Sequence, residues 1–154
     1  MTGSRLEKGG LIDRRKKLSF RFNGHTVNGF QGDTIASALM ASGHMLVGRS
    51  FKYHRPRGIT SAGVEEGGAL FNTGDGAERV PNVKGTVAEL KDGLTVYSQN
   101  TFPSPKFDLG AVNGLIAPFI TAGFYYKTFM GPVASTRFWM LVEPVIRTAA
   151  GRAP

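Results

Sequence analysis

The chain has 154 residues, no cysteine, and a formal net charge of +8 from 19 Lys and Arg against 11 Asp and Glu. That length fits one ordinary domain with an extension, and a hydrophobic fraction of 41% is enough for a packed core. The missing cysteines exclude disulfides, thiolate-held metal clusters and a cysteine nucleophile.

No secretory pattern precedes residue 30, because Leu11-Ile12 runs straight into Asp13-Arg14-Arg15-Lys16-Lys17. The most apolar stretch, Leu115 to Phe124, is broken by Pro118 and Gly123 and falls far short of the roughly 20 apolar residues of a membrane span. A soluble, cytoplasmic chain is expected.

Residues 1–16 are polar and basic and read as an arm, its cations forming a solvated face or a protein interface. Leu18-Ser-Phe-Arg-Phe22 alternates apolar and polar, the period of a half-buried strand. Asn23-Gly24 tolerates the positive φ of a type I′ turn, and His25 to Phe30 reads as the returning strand. Asp33 or Thr34 is placed to cap a helix starting at Ile35, which Gly43 closes. Ile35, Ala38, Leu39 and Ser42 share one face of that helix.

Gly48 to Gly58 then concentrates Arg49, Lys52, His54, Arg55 and Arg57 around Phe51 and Tyr53. Pro56 stiffens the segment and biases Arg55 towards extended backbone. Such a loop suits an anionic cofactor, an acidic protein surface or a nucleic acid. Ala69 to Asn72 predicts a short strand, Gly74-Asp75-Gly76 a turn, and Val83 to Leu90 and Leu94 to Ser98 two strands joined by Lys91-Asp92-Gly93. Hairpin, helix, basic loop and further short strands make an α+β arrangement and suggest a β-grasp.

Composition changes near residue 100. Asn100 to Asp108, with Pro103 and Pro105, reads as an extended linker. From Leu109 the chain becomes apolar and aromatic, with Phe119, Phe124, Tyr125, Tyr126, Phe129, Phe138 and Trp139. Short helices broken at Gly114, Pro118, Gly131-Pro132 and Pro144 are expected. The expected organisation is a basic arm over 1–16, a compact domain over 17–99, and a linker with an aromatic docking extension over 100–154.

Arg5-Leu6, Gly9-Gly10, Gly32-Asp33-Thr34, Val47-Gly-Arg-Ser-Phe-Lys-Tyr-His-Arg-Pro-Arg-Gly-Ile59, Gly63-Val-Glu-Glu66, Ser98-Gln-Asn100 and Ala122-Gly-Phe-Tyr-Tyr-Lys-Thr-Phe-Met130 together resemble the N-terminal region of the alpha subunits of heterotetrameric sarcosine oxidases. The resemblance runs nearly end to end. Many relatives read Glu-Glu-Pro-Asn where this chain has Glu65-Glu66-Gly67-Gly68.

The resemblance implies a plant-type 2Fe-2S ferredoxin fold ahead of a dinucleotide-binding part. It also implies an assembled enzyme that demethylates sarcosine oxidatively to glycine with FAD, FMN, NAD and tetrahydrofolate. The implied partners are that dinucleotide-binding part and a flavoprotein beta-type subunit; membranes are not implied. No Gly-x-Gly-x-x-Gly follows a strand in this chain, so it reads as an excised domain or a separate small subunit, without a complete active site. Related amine or proline-type and hydroxyproline-type dehydrogenase complexes are one alternative, and a basic nucleic-acid-binding module is another.

Plant-type clusters use C-x4-C-x2-C and a distant fourth cysteine. The corresponding positions fall near Ser61, Glu66 and Ala69, with the fourth around Val83 to Thr86. None supplies a thiolate, so the expectation is an inherited fold whose cluster is lost, with no metal site.

Lys52, His54, Arg55 and Arg57 are the candidate binding residues. Arginine forks suit phosphate or carboxylate, so the loop meets either a flavin or dinucleotide phosphate or, ahead of that, acidic residues of a neighbouring domain. Glu65 and Glu66 are expected to pair with this basic loop. His25 and His44 lack neighbours at metal-ligand spacing. Tyr125, Tyr126, Lys127, Phe129 and Met130 are expected to pack against the next domain.

Overall fold

The computed structural model describes residues 5–115, 117 and 136–149. Its main sheet has five strands: β1 (Asp13–Phe22), β2 (His25–Gln31), β5 (Leu70–Thr73), β6 (Val80–Lys84) and β7 (Thr95–Ser98). Their order is β2-β1-β7-β5-β6, with β1 parallel to β7 and the other pairings antiparallel. One helix, α1 (Ile35–Ala41), follows β2. A pair of two-residue strands, β3 (Gly48–Arg49) and β4 (Pro56–Arg57), forms a separate ribbon. A mixed sheet with parallel first and last strands and a helix following the first hairpin are consistent with a β-grasp.

The hairpin follows the local sequence. Asn23 and Gly24 both take positive φ, 49° and 84°, and the register pairs Phe22 with His25 across the turn. Phe20 and Phe22 are buried while Ser19 and Arg21 are exposed, as the period of two requires. β1 starts at Asp13 rather than Leu18, because Asp13 already pairs with Gln31 across an irregularity between Asp13 and Lys17. The boundary expected at 16/17 therefore falls inside a strand.

Thr34 is the cap of α1: its Oγ1 accepts from the Ser37 amide at 3.1 Å, and the Ser37 Oγ accepts from the Thr34 amide at 3.0 Å, a reciprocal capping box with serine in the third position. Asp33 does something else. Its buried carboxylate receives both Arg5 guanidinium nitrogens at 3.1 and 2.8 Å, the Ser37 hydroxyl at 2.7 Å and the Phe30 amide at 2.9 Å. Burial opposes ionisation there, but these donors outweigh it and hold the acid below its usual range. The N-terminal segment is thus tied to the domain at Arg5, which also lies over the Phe30 ring at 5.1 Å.

Ile35, Ala38 and Leu39 bring the α1 face onto Phe20, Phe22, Val27, Phe71, Leu90 and Val96. Among the described residues, the buried members of this core lie between residues 20 and 96. The strand expected over Val83 to Leu90 ends at Lys84, and β6 pairs with β5, not β7. The remaining stretch turns to the helix instead: Ala36 donates to the Gly85 carbonyl, Ile35 to that of Ala88, and the Leu90 amide to the Asp33 carbonyl at 2.8 Å. These bonds, with Leu90 buried beneath them, outcompete a hairpin.

A second helix, α2 (Thr136–Ala149), runs through Pro144 rather than breaking there, although proline supplies no amide for the bond to the carbonyl four residues back. Phe119, Phe124, Tyr125, Tyr126, Lys127, Phe129 and Met130 lie outside the described residues. Among the described residues no helix is long and apolar enough to cross a membrane.

Candidate functional site

The basic loop is built as a tight ribbon. Gly48 pairs with Arg57 and Arg49 with Pro56, which places residues 50–55 as the connecting turn. The Ser50 amide donates to the Arg55 carbonyl and the His54 amide to the Ser50 carbonyl, both at 2.9 Å. The Ser50 hydroxyl accepts from the Arg55 amide at 3.0 Å. The turn closes through His54 at φ 51°, a conformation that costs a non-glycine residue energy. A specific contact offsets that cost.

The contact is Asp108. Its carboxylate is fully buried, with Oδ2 2.7 Å from His54 Nδ1 and 3.6 Å from Arg49 Nε. Oδ1 accepts from the amides of Phe102 at 2.9 Å and Gly110 at 3.3 Å. Burial opposes ionisation, yet the Phe102 amide and His54 hold the acid below its usual range. An ionised carboxylate only accepts hydrogen bonds, so His54 Nδ1 carries the proton.

Arg49 completes the clasp. Its Nε donates to the Pro105 carbonyl at 2.8 Å and its Nη1 to the His54 carbonyl at 2.6 Å. The Arg49 amide meets the Gln99 carbonyl at 3.1 Å, and Asn100 Nδ2 returns to the Arg49 carbonyl at 3.0 Å. The stretch 100–108, expected as an extended linker, is instead folded back on the basic loop. A buried aspartate facing an arginine and a histidine provides the reason.

The four candidate binding residues therefore separate. His54 turns inward. Lys52 Nζ and the Arg55 guanidinium approach the Tyr53 ring at 4.8 and 4.9 Å from its centre, a geometry of cation–π attraction. Arg55 and Arg57 are exposed. The loop thus presents an aromatic ring with cations beside it on a base stiffened by Arg49, His54 and Asp108. The sequence reading missed Asp108 as a site residue. Its one local signal is the side-chain cap on Gly110, two residues on; nothing local points to His54.

Glu66 was expected to pair with the basic loop. Its carboxylate is instead buried in its own loop, accepting from the Thr60 and Ser61 amides at 2.6 Å each, the Thr60 hydroxyl at 2.9 Å and the Gly68 amide at 2.5 Å. The backbone hydrogen bonds, that of Gly68 foremost, lower its pKa to about 2. Glu65 accepts from the Gly63 amide at 3.2 Å. At the positions expected for cluster ligands, Ala69 is buried in the apolar core and Glu66 points into the loop. These residues do not fit a 2Fe-2S cluster, which needs thiolates.

A mixed five-stranded sheet whose first and last strands run parallel, with α1 packed on its core, is consistent with a ferredoxin-like domain. Residues 15–101 match the 2Fe-2S iron-sulfur cluster binding domain family, and the chain belongs to it. It is 57% identical over 152 residues to sarcosine oxidase subunit alpha of Rhizobium meliloti (strain 1021), covering 98% of this chain and 15% of that protein. It is 39% identical over 89 residues to sarcosine oxidase subunit alpha of Corynebacterium sp. (strain U-96), covering 56% of this chain and 9% of that protein. The chain thus spans about 15% of the length of the first of these relatives. A crystal structure of L-proline dehydrogenase from P. horikoshii aligns with a TM-score of 0.46 at 23% identity, over 56% of this chain and 16% of that one. The resemblance to sarcosine oxidase alpha subunits is borne out.

Proposed function

We propose that this chain is a structural and docking part of a sarcosine-oxidase-type flavoenzyme, one that demethylates sarcosine oxidatively to glycine. The observation that carries the reading is 57% identity across 98% of the chain to an alpha subunit of that name. FAD, FMN, NAD and tetrahydrofolate belong to the assembled enzyme. This chain carries no catalytic residue and works in the cytoplasm beside a dinucleotide-binding part and a flavoprotein beta-type subunit. The domain is a plant-type ferredoxin β-grasp, and the aromatics of its 119–139 segment dock onto those partners, while 100–108 stays folded against the basic loop. Lys52, Arg55 and Arg57, held in place by His54, meet either a flavin or dinucleotide phosphate or acidic residues of a neighbouring domain.

The test is co-expression with the remaining alpha-type part and the beta-type subunit. The chain should co-purify at physiological salt, and sarcosine-dependent peroxide should form only in the assembly. Replacing Tyr125 and Phe129 by Ala should weaken assembly, since central aromatic anchors carry much of an interface's free energy. Failure to associate, or sarcosine oxidation by the isolated chain with FAD and FMN, would overturn the proposal. Tight nucleic-acid binding that survives physiological salt would also reject it in favour of a basic binding module.

A further inference from the structure

Residues 60–68 form an irregular loop between β4 and β5, with no ladder to satisfy its amides. Three of these amides, on Thr60, Ser61 and Gly68, converge on a single carboxylate, with the Thr60 hydroxyl as a fourth donor. Glu66 is only 4% exposed. Converging backbone amides make a concave anion site, and burying a charge is costly unless such donors surround it. Gly68 fits the geometry: a side chain there would press on the Gly58 carbonyl oxygen and Glu66 Oε1.

The loop is also clipped from outside. The Thr86 hydroxyl donates to the Gly63 carbonyl at 2.7 Å and Lys84 Nζ to the Val64 carbonyl at 2.6 Å. Those two anchors lie within Val83 to Thr86, the stretch that the resemblance assigns to the fourth cluster ligand. Ser61, Glu66 and Ala69 sit at the spacing of the other three, and the cysteine content is zero. In an iron–sulfur domain such a loop is organised around the metal–sulfide centre, whose sulfurs accept hydrogen bonds.

We infer that the Glu66 carboxylate is the loop's internal anion, standing where the family holds its cluster and keeping the loop closed without metal. The domain then keeps the shape of a redox module while its centre is a fixed charge that transfers no electron. Glu66 is a positioning residue for the loop, with its charge, not its bulk, carrying the role. This inference is independent of which substrate the assembled enzyme oxidises.

Amide hydrogen exchange on the 154-residue chain tests it. In the unaltered protein the Thr60, Ser61 and Gly68 amides should exchange at least 100-fold slower than open-loop amides, although none lies in a strand. Exchange at open-loop rates would overturn the inference without any variant. Glu66→Gln keeps the shape but turns one acceptor oxygen into an amide donor. It should speed exchange at those three positions at least tenfold, as much as Glu66→Ala does, while Phe71 and Val96 stay protected. A Glu66→Gln variant indistinguishable from the parent would show that packing alone holds the loop. Added formate should slow the three amides in Glu66→Ala towards parental rates, because it can refill the same donors. If formate leaves them unchanged at concentrations that saturate a weak anion site, the anion role is rejected.

Discussion

His54 Nδ1 and Asp108 Oδ2 lie 2.7 Å apart although 54 residues separate them. The pair joins a turn carrying positive φ to a segment with no regular ladder of its own. Asp108 serves both sides at once, since its other oxygen holds the Phe102 and Gly110 amides. A stiff, cation-bearing loop follows from that one buried carboxylate.

Replacing Asp108 by Asn should therefore cost about 3 kcal/mol, since removing one partner of a buried ion pair leaves the others uncompensated. Urea unfolding followed by circular dichroism measures it. A loss below about 1 kcal/mol would mean the segment is held by its backbone contacts and not by the carboxylate.

Gly110 lies against the His54 imidazole, and a Cβ there would collide with the ring. Gly110→Ala should cost about 1–3 kcal/mol through displacement of that ring. Combined with Asp108→Asn, the loss should be smaller than the sum, because both changes break the same contact. Strict additivity would show the two to be independent.

At the N-terminus the two partners of one ion pair should behave unequally. Asp33 is 2% exposed and receives the Ser37 hydroxyl and the Phe30 amide as well as Arg5. Asp33→Ala should cost about 3 kcal/mol. Arg5→Ala should cost less, about 1–2 kcal/mol, because Asp33 keeps its other donors. Equal losses in the same urea experiment would place the whole role of Asp33 in the ion pair.

Acid should destabilise the domain in a defined window. Glu66 moves from an ordinary 4.5 to about 2, and Asp33 and Asp108 are also held low. A depressed folded pKa contributes stability that is complete above the unfolded value and is lost as pH falls through the folded one. Thermal midpoints should thus hold down to about pH 5, then drop between roughly pH 4.5 and 2. Glu66→Gln should flatten that drop; an unchanged profile would show that Glu66 titrates elsewhere.

Anaerobic reconstitution with iron and sulfide should give no visible charge-transfer absorption and no stoichiometric iron. With no cysteine in the chain and Ala69 in the core, four thiolates cannot be assembled. Bound iron in proportion to protein would contradict this.

Much of the domain was legible because its signals are local. Asn23-Gly24 sets a turn through backbone sterics, Phe20 and Phe22 face the core by strand alternation, and Thr34 caps α1 with an oxygen three residues from its donor. The absence of cysteine likewise decides the cluster question from composition alone. What the sequence could not convey depends on contacts between distant residues. Val83 to Leu90 reads as one strand, but amides of α1 and Leu90 divert its second half. Asn100 to Asp108 reads as a linker, since its prolines exclude a helix and nothing nearby shows that Asp108 reaches His54. Glu66 reads as a surface acid beside a basic loop, yet the amides of Thr60, Ser61 and Gly68 outbid the cations. In each case a buried polar group must find a partner when water is removed, and only the closed chain determines which one is within reach.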